Sequence, residues 1–245
     1  MTAPPWNAAE PPDVVLLDLD DTIIDFGGGV GDSWRVVCEE ACESLAGLEP
    51  RALQDAIDRT REWYWSDPER HRTGRADLRA AGAEIVARAL SELGHDEPGV
   101  ALALSNRYRD LRDASVRPIA GAVEALARLS RLGVRLGLVT NGASADQWAK
   151  IERFRLASYF AYIGVEGDVG VGKPEPGAYE AALGSLACTA SRCWMVGDNL
   201  EWDVAAPQRL GIRAVWVDAR RRGLPDGSPV RPDHVVAAIS ELVSA

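Results

Sequence analysis

Carboxylates crowd the run Asp18-Leu19-Asp20-Asp21-Thr22, which follows the apolar stretch Val14-Val15-Leu16-Leu17. Three further segments place polar residues at or just beyond apolar runs: Thr140-Asn141-Gly142, Gly172-Lys173-Pro174, and Gly197-Asp198-Asn199 with Asp203 following. Carboxylates brought within a few ångströms repel by several kcal/mol at an effective dielectric of about 20. A divalent cation relieves that repulsion. Magnesium suits carboxylate, carbonyl and water ligands, and commonly combines a few protein groups with a substrate phosphate. Lys173 adds a positive charge, and backbone amides at the Thr140–Gly142 strand-to-helix turn suit phosphate oxygens. A nucleophile, an acid, a metal and positive charge around the equatorial oxygens are the parts that phosphoryl transfer needs.

For these segments to meet, strands must carry them to a common edge. Unbroken apolar runs at Val14–Leu17, Val134–Thr140, Tyr162–Val165, Cys193–Val196 and Ala214–Val217 predict strands buried on both faces, with a last short one near His234–Val236. Helical patterns fall between them at Ala120–Leu132, Ser144–Leu156, Pro176–Ala187 and Trp202–Leu210. The alternation predicts an α/β fold: a doubly wound, parallel-sheet, Rossmann-like core. Ligands of such sheets bind outside the carboxyl ends of the strands, where all four polar segments fall.

The alternation breaks once. Residues 27–116 show only amphipathic helical patterns, at roughly Ser33–Ala46, Pro50–Ser66, Ala76–Leu93 and Pro98–Ala114. They predict an inserted all-helical cap domain over 27–116, with the catalytic core formed by 13–26 and 117–245. Gly27-Gly28-Gly29 and Arg117-Pro118 stand where hinges are expected, and the Pro- and Ala-rich residues 1–12 read as a flexible arm. Within the cap, Trp63 to Arg75 is dense in aromatic and basic side chains. It reads either as core aromatics followed by a solvated loop or as a substrate-facing surface.

The segments Asp18-Leu19-Asp20-Asp21-Thr22, Leu138-Val139-Thr140-Asn141-Gly142, Lys173-Pro174 and Gly197-Asp198-Asn199-x-x-x-Asp203 together resemble the four ordered motifs of the haloacid dehalogenase-like hydrolase superfamily. The resemblance runs from about residue 13 to 220. The insertion is similar to the helical cap of the subgroup that includes phosphoglycolate phosphatase, nucleotidases and acylneuraminate-phosphate phosphatases. The resemblance implies a phosphatase in which Asp18 is the nucleophile that forms an aspartyl-phosphate. Asp20 would protonate the leaving alkoxide and then activate the hydrolytic water, with Thr22 orienting it. Thr140 and the Asn141 amide would bind the phosphoryl group, and Lys173 would steady its charge and that of Asp18. Mg2+ would be held by Asp18, the Asp20 carbonyl and Asp198, with Asp203 acting through water or a hydrogen bond. Asp21 reads as a neighbour of the chemistry.

Composition removes partners. With 245 residues, 47% hydrophobic and 26% charged, the chain suits one core domain and a smaller inserted one. Its formal net charge of -10 repels nucleic acid and anionic membranes, so a small phosphorylated metabolite must be held by a local cation. Four cysteines without Cys-x-x-Cys spacing, and only three histidines, do not compose a zinc site. Reduced thiols, with no secretion signal and no apolar stretch of about 18 residues, fit a cytoplasmic protein. A monomer or homodimer is expected. The only lysines are Lys150 and Lys173. A phosphonate hydrolase of this superfamily needs a cap lysine, which residues 1–149 do not contain. A 2-haloacid dehalogenase is an alternative on the same fold, but it lacks an acid two residues after its nucleophile. A phosphomutase is the other alternative, distinguished by excluding water from the intermediate.

Overall fold

Val14–Leu17 (β1) consists of four apolar residues with no exposed surface, the expected state of a strand covered on both faces. The computed structural model describes residues 11–45, 47–96 and 98–243. Up to residue 10, the expected N-terminal arm lies outside the described residues. The chain divides into two compact units. One takes in Arg117–Ala245 together with the chain up to Asp25; the other is Phe26–Val116.

In the first unit, β1 sits mid-sheet. The other core strands are Arg135–Thr140 (β4), Tyr162–Val165 (β5), Cys193–Gly197 (β6), Arg213–Val217 (β7) and His234–Val236 (β8). They form a six-stranded sheet of order β5-β4-β1-β6-β7-β8, with every pairing parallel. Two strands lie outward of β1 on one side and three on the other, so the winding reverses between β1 and β6. That reversal opens a crevice at the carboxyl ends. Leu17 lies opposite both Leu138 and Val196, which fixes the ends of β1, β4 and β6 close to one level. A short antiparallel pair joins Ile24–Asp25 (β2) to Arg117–Pro118 (β3). Arg117-Pro118, expected as a hinge, is therefore strand-paired.

Helices cover the sheet. Ala122–Arg131 (α6) buries Ala122, Ala125, Leu126 and Leu129, an i, i+3, i+4, i+7 stripe. Ser144–Arg153 (α7) follows β4, and the short Glu166–Val169 (α8) follows β5. Pro176–Ser185 (α9) packs Ala178, Tyr179 and Ala182 against Leu16, Val139 and Met195. Where an α-helix is predicted over Trp202–Leu210, the chain instead winds as a π-helix over Leu200–Ala205 and then as the α-helix Ala206–Arg209 (α10). Wide turns of this kind gather at functional sites.

The second unit contains Val30–Cys42 (α1), Pro50–Ser66 (α2), Pro68–Ala76 (α3), Leu78–Glu92 (α4) and Pro98–Ser115 (α5). Its own core includes Trp34, Val37, Leu53, Ile57, Ile85, Val86 and Leu90. Trp34 stacks on Tyr108 with ring centroids 3.9 Å apart. The segment expected as a solvated loop after Ser66 is helix α3, because Asp67 caps it by accepting from the Glu69 and Arg70 amides, and Pro68 starts it. Two guanidiniums lie against the Trp63 ring, Arg70 at 4.0 Å and Arg88 at 4.1 Å from its centroid. Arg70 also donates to the carbonyls of Trp63 and Tyr64, so it closes the end of α2.

Candidate active site

Immediately after β1, Asp18 is anchored by its own N–H, which donates to the Val196 carbonyl at 3.0 Å. Its buried side chain points toward the residues that follow β6. Asp18, Asp198 and Asp203 bring carboxylate oxygens within 4.8 Å of one another. Lys173 is 1% exposed and donates from Nζ to Asp18 Oδ1 and to Asp203 Oδ1, each at 2.7 Å. Such a charge is costly to bury without partners.

Each member is placed by local structure. Asp203 lies in the π-helical turn, whose start Asn199 caps by accepting from the Glu201 and Trp202 amides. The second Asp203 oxygen accepts from the Asn199 N–H at 3.0 Å. Residue 197 must be glycine for this approach, since a β-carbon there would overlap the Asp203 carboxyl. Asp198 is fixed through its carbonyl, which accepts from Trp216 Nε1 on β7 at 2.8 Å. Lys173 is held by Asn141: the Asn141 side chain donates to the Lys173 carbonyl at 2.6 Å and accepts from the Lys173 N–H at 2.8 Å. The Asn141 carboxamide is thus committed to the lysine loop, and any contact with a phosphoryl group falls to its main-chain N–H.

Charge within the cluster is unbalanced. With all three carboxylates ionised, the one ammonium leaves two negative charges in excess. Burial pushes Asp18 up to about 7; Lys173 opposes this, while Asp203 and Asp20 add to it. Desolvation of the carboxyl, then the charges of Asp18, Asp203 and Asp21, push Asp198 up to about 8, although the residue as a whole is exposed. For Lys173, burial works against the charge, but Asp18 and Asp203 outweigh it and hold the ammonium above its ordinary range. A divalent cation would cancel the excess, and the donor set is all oxygen. Residues present therefore fit a hard divalent metal.

Asp20 lies at the rim of this cluster rather than within it. Asp21 turns the chain at φ 60, a left-handed conformation that aspartate tolerates, and its N–H donates to the Ile24 carbonyl. Thr22 is fully buried, but its hydroxyl makes no hydrogen bond. The expected orienting role of Thr22 on Asp20 has no bond to carry it here. Lys150 and Gln147 hold Asp20 instead, both from α7. On β4, the Thr140 hydroxyl is buried and accepts from Gln147 Nε2 at 2.6 Å.

Residues 12–211 match the model of the haloacid dehalogenase-like hydrolase family. The chain belongs to that family. It is 36% identical over 183 residues to phosphoserine phosphatase from Thermus thermophilus, a stretch covering 74% of this chain and 66% of that protein, just under two thirds. It is 29% identical over 230 residues to glyceraldehyde 3-phosphate phosphatase from Methanopyrus kandleri, covering 90% and 89%. The fold is similar to the crystal structure of the putative haloacid dehalogenase-like hydrolase YfnB from Bacillus subtilis, bound to magnesium. The TM-score is 0.74 at 22% identity, with 95% and 97% covered.

Outside the quoted motif segments stand four supporting residues that sequence reasoning did not single out for the site. Gln147 and Lys150 stand on α7, where spacing alone does not tell a polar side chain that meets water from one that meets Asp20. Glu166 accepts from the Gly142 N–H at 2.9 Å, and Trp216 pins Asp198. Scarcity of lysine was the one signal available, since Lys150 and Lys173 both lie in this site. All four cysteines are free thiols. Among the described residues, no helix is long and apolar enough to cross a membrane.

Proposed function

We propose that this chain is a magnesium-dependent phosphomonoesterase that hydrolyses a small phosphorylated metabolite through an aspartyl-phosphate on Asp18. One observation carries the reading: Lys173, buried, bridges Asp18 and Asp203 beside Asp198, in a cluster that is two positive charges short of neutrality once its carboxylates ionise. The named relatives, a phosphoserine and a glyceraldehyde 3-phosphate phosphatase, support the same substrate class.

Magnesium held by Asp18, Asp198 and the Asp20 carbonyl would supply charge for the phosphate oxygens. Asp203, with each oxygen already accepting a hydrogen bond, is assigned to hold Lys173 and the Asp198–Asn199 turn. An Asp18 oxygen attacks phosphorus as the ester P–O bond breaks, and Asp20 protonates the leaving oxygen. Water then attacks phosphorus and gives its proton to Asp20. The bond from phosphorus to Asp18 breaks, releasing phosphate and restoring the carboxylate. Lys173 and the Thr140 hydroxyl steady the phosphoryl charge. The helical unit Phe26–Val116 is proposed as the cap that selects substrate.

Purified protein with magnesium should release phosphate from p-nitrophenyl phosphate and lose this activity in EDTA. Full turnover in EDTA would overturn the reading. A phosphomutase is separated from it by adding hexose phosphates and finding isomerised product in place of free phosphate.

A further inference from the structure

Helix α7 presents two side chains to the site that the reaction above leaves without a task. Lys150 Nζ donates to both oxygens of Asp20, each at 2.8 Å, across 130 residues of chain. Gln147, one turn earlier, brings Nε2 to 3.1 Å from Asp20 Oδ2, 2.6 Å from Thr140 Oγ1 and 2.6 Å from the Asn141 carbonyl. A carboxamide nitrogen has two protons, so these three acceptors share two donors. Gln147 therefore stands at a junction between the acid–base residue and the hydroxyl assigned to the phosphoryl group. Their spacing of three puts both on one face of the helix.

An exposed lysine–aspartate pair contributes little and orders little. This pair differs. The Lys150 and Asp20 side chains are only 13% and 25% exposed, and the ammonium meets both carboxylate oxygens. Thr22, the residue expected to orient Asp20, makes no hydrogen bond through its buried hydroxyl. The orientation of Asp20 thus rests on α7.

We infer that Lys150, assisted by Gln147, is a positioning residue for Asp20: its ammonium holds the ionised carboxylate that takes a proton from water, and releases one oxygen when Asp20 carries the proton to the leaving group. The inference rests on the phosphatase reading. Both half-reactions use Asp20, but unequally. Cleavage of an aryl ester expels a stable phenolate and needs little acid, whereas an alkyl ester needs the proton as its P–O bond breaks. Hydrolysis of the aspartyl-phosphate needs Asp20 to accept a proton from water whichever ester was used. Misplacing Asp20 should therefore slow alkyl esters in the first half and all esters in the second.

Lys150→Met tests this by stopped-flow and steady-state kinetics with magnesium, on p-nitrophenyl phosphate and on phosphoserine or another alkyl phosphate. The expected steady-state loss is about 10- to 100-fold, a part of what a whole acid–base group supplies. On the aryl ester the variant should release a burst of nitrophenolate matching the enzyme concentration, followed by slow turnover. On the alkyl ester no burst should appear. Lys150→Arg, which keeps a cation within reach, should recover most of the rate and lose the burst. Equal losses on both esters without a burst, or unchanged kinetics, would overturn the assignment, since a merely structural lysine changes only the amount of active protein. Should Lys150→Met not fold, Lys150→Gln carries the same comparison. An inactive wild-type protein would sink the phosphatase reading instead, before any variant is made.

Discussion

The strand ends of the α/β unit and the Trp63–Arg75 segment of the helical unit are both dense in polar and charged groups, yet they are built in opposite ways. At the strand ends, the bonds join residues far apart in the chain: Lys173 reaches Asp18 across 155 positions and Asp203 across 30. Asp18, Lys173 and Asp203 are buried and depend on one another. In the helical segment, Arg70 bonds to carbonyls six and seven residues away and lies over an exposed ring. Its guanidinium is satisfied within its own stretch of chain. Charges that are expensive to bury, and that must be assembled from four elements, carry the signature of a reaction; locally satisfied charges carry the signature of a helix end.

Variants at the two regions should differ accordingly. Asp18→Asn should lower turnover by about 10⁴-fold or more, the scale seen when a covalent nucleophile is removed. It should leave the fold intact, because the neutral amide removes one charge from an over-negative cluster. Phosphate release and thermal melting measure the two effects; an active variant breaks the comparison at its centre. Asp20→Asn should cost about 10²–10⁴-fold, the worth of a general acid–base group.

Lys173→Met should act on stability as well as rate. Removing one partner of a buried ion pair typically costs about 3–5 kcal/mol, and here it leaves two carboxylates facing each other without their cation. Urea unfolding of the chelated protein checks this. A loss within the range of surface pairs would mean that Lys173 is not shielding Asp18 and Asp203.

The raised carboxyls give a dependence on pH. Asp18 and Asp198, at about 7 and about 8 in the folded state, lie above the ordinary carboxylate value of 3.8. The folded protein therefore holds protons that the unfolded chain releases, so the stability of the chelated protein falls as pH rises toward these values. Its melting temperature should drop between about pH 6 and about pH 8, and added magnesium should raise it more at the higher pH, where metal no longer competes with protons. An equal metal shift at both values would contradict the charge excess.

The smallest effect belongs to the helical segment. Trp63→Ala should cost about 0.5–1 kcal/mol, as for an exposed cation–π contact, and leave turnover of p-nitrophenyl phosphate unchanged. A raised KM with unaltered melting would move this segment from helix-end packing to substrate recognition.

How far the sequence revealed this arrangement follows from the same contrast. The strands were legible because two-sided burial demands unbroken apolar residues, as in Val14–Leu17 and Tyr162–Val165. The residues Asp18, Lys173, Asp198 and Asp203 were legible because each follows or neighbours such a run. Gln147 and Lys150 were not: on a helix, a polar side chain looks the same whether it meets water or a carboxylate from β1's end. The π-helical turn at Leu200–Ala205 was hidden because its winding answers to the Asp203 approach over Gly197, a tertiary demand. Helix α3 could have been read from Asp67-Pro68, a cap and an N1 proline, had the basic residues after it not suggested a loop.

The central claim is that phosphorus is transferred to Asp18. Quenching the Asp20→Asn variant during turnover of an aryl phosphate, then mapping the modified peptide by mass spectrometry, tests it most directly. The account predicts one phosphoryl group on the peptide containing Asp18, removed by hydroxylamine and absent from Asp18→Asn. Turnover with no trapped phosphoryl group, or a label on another residue, would contradict it.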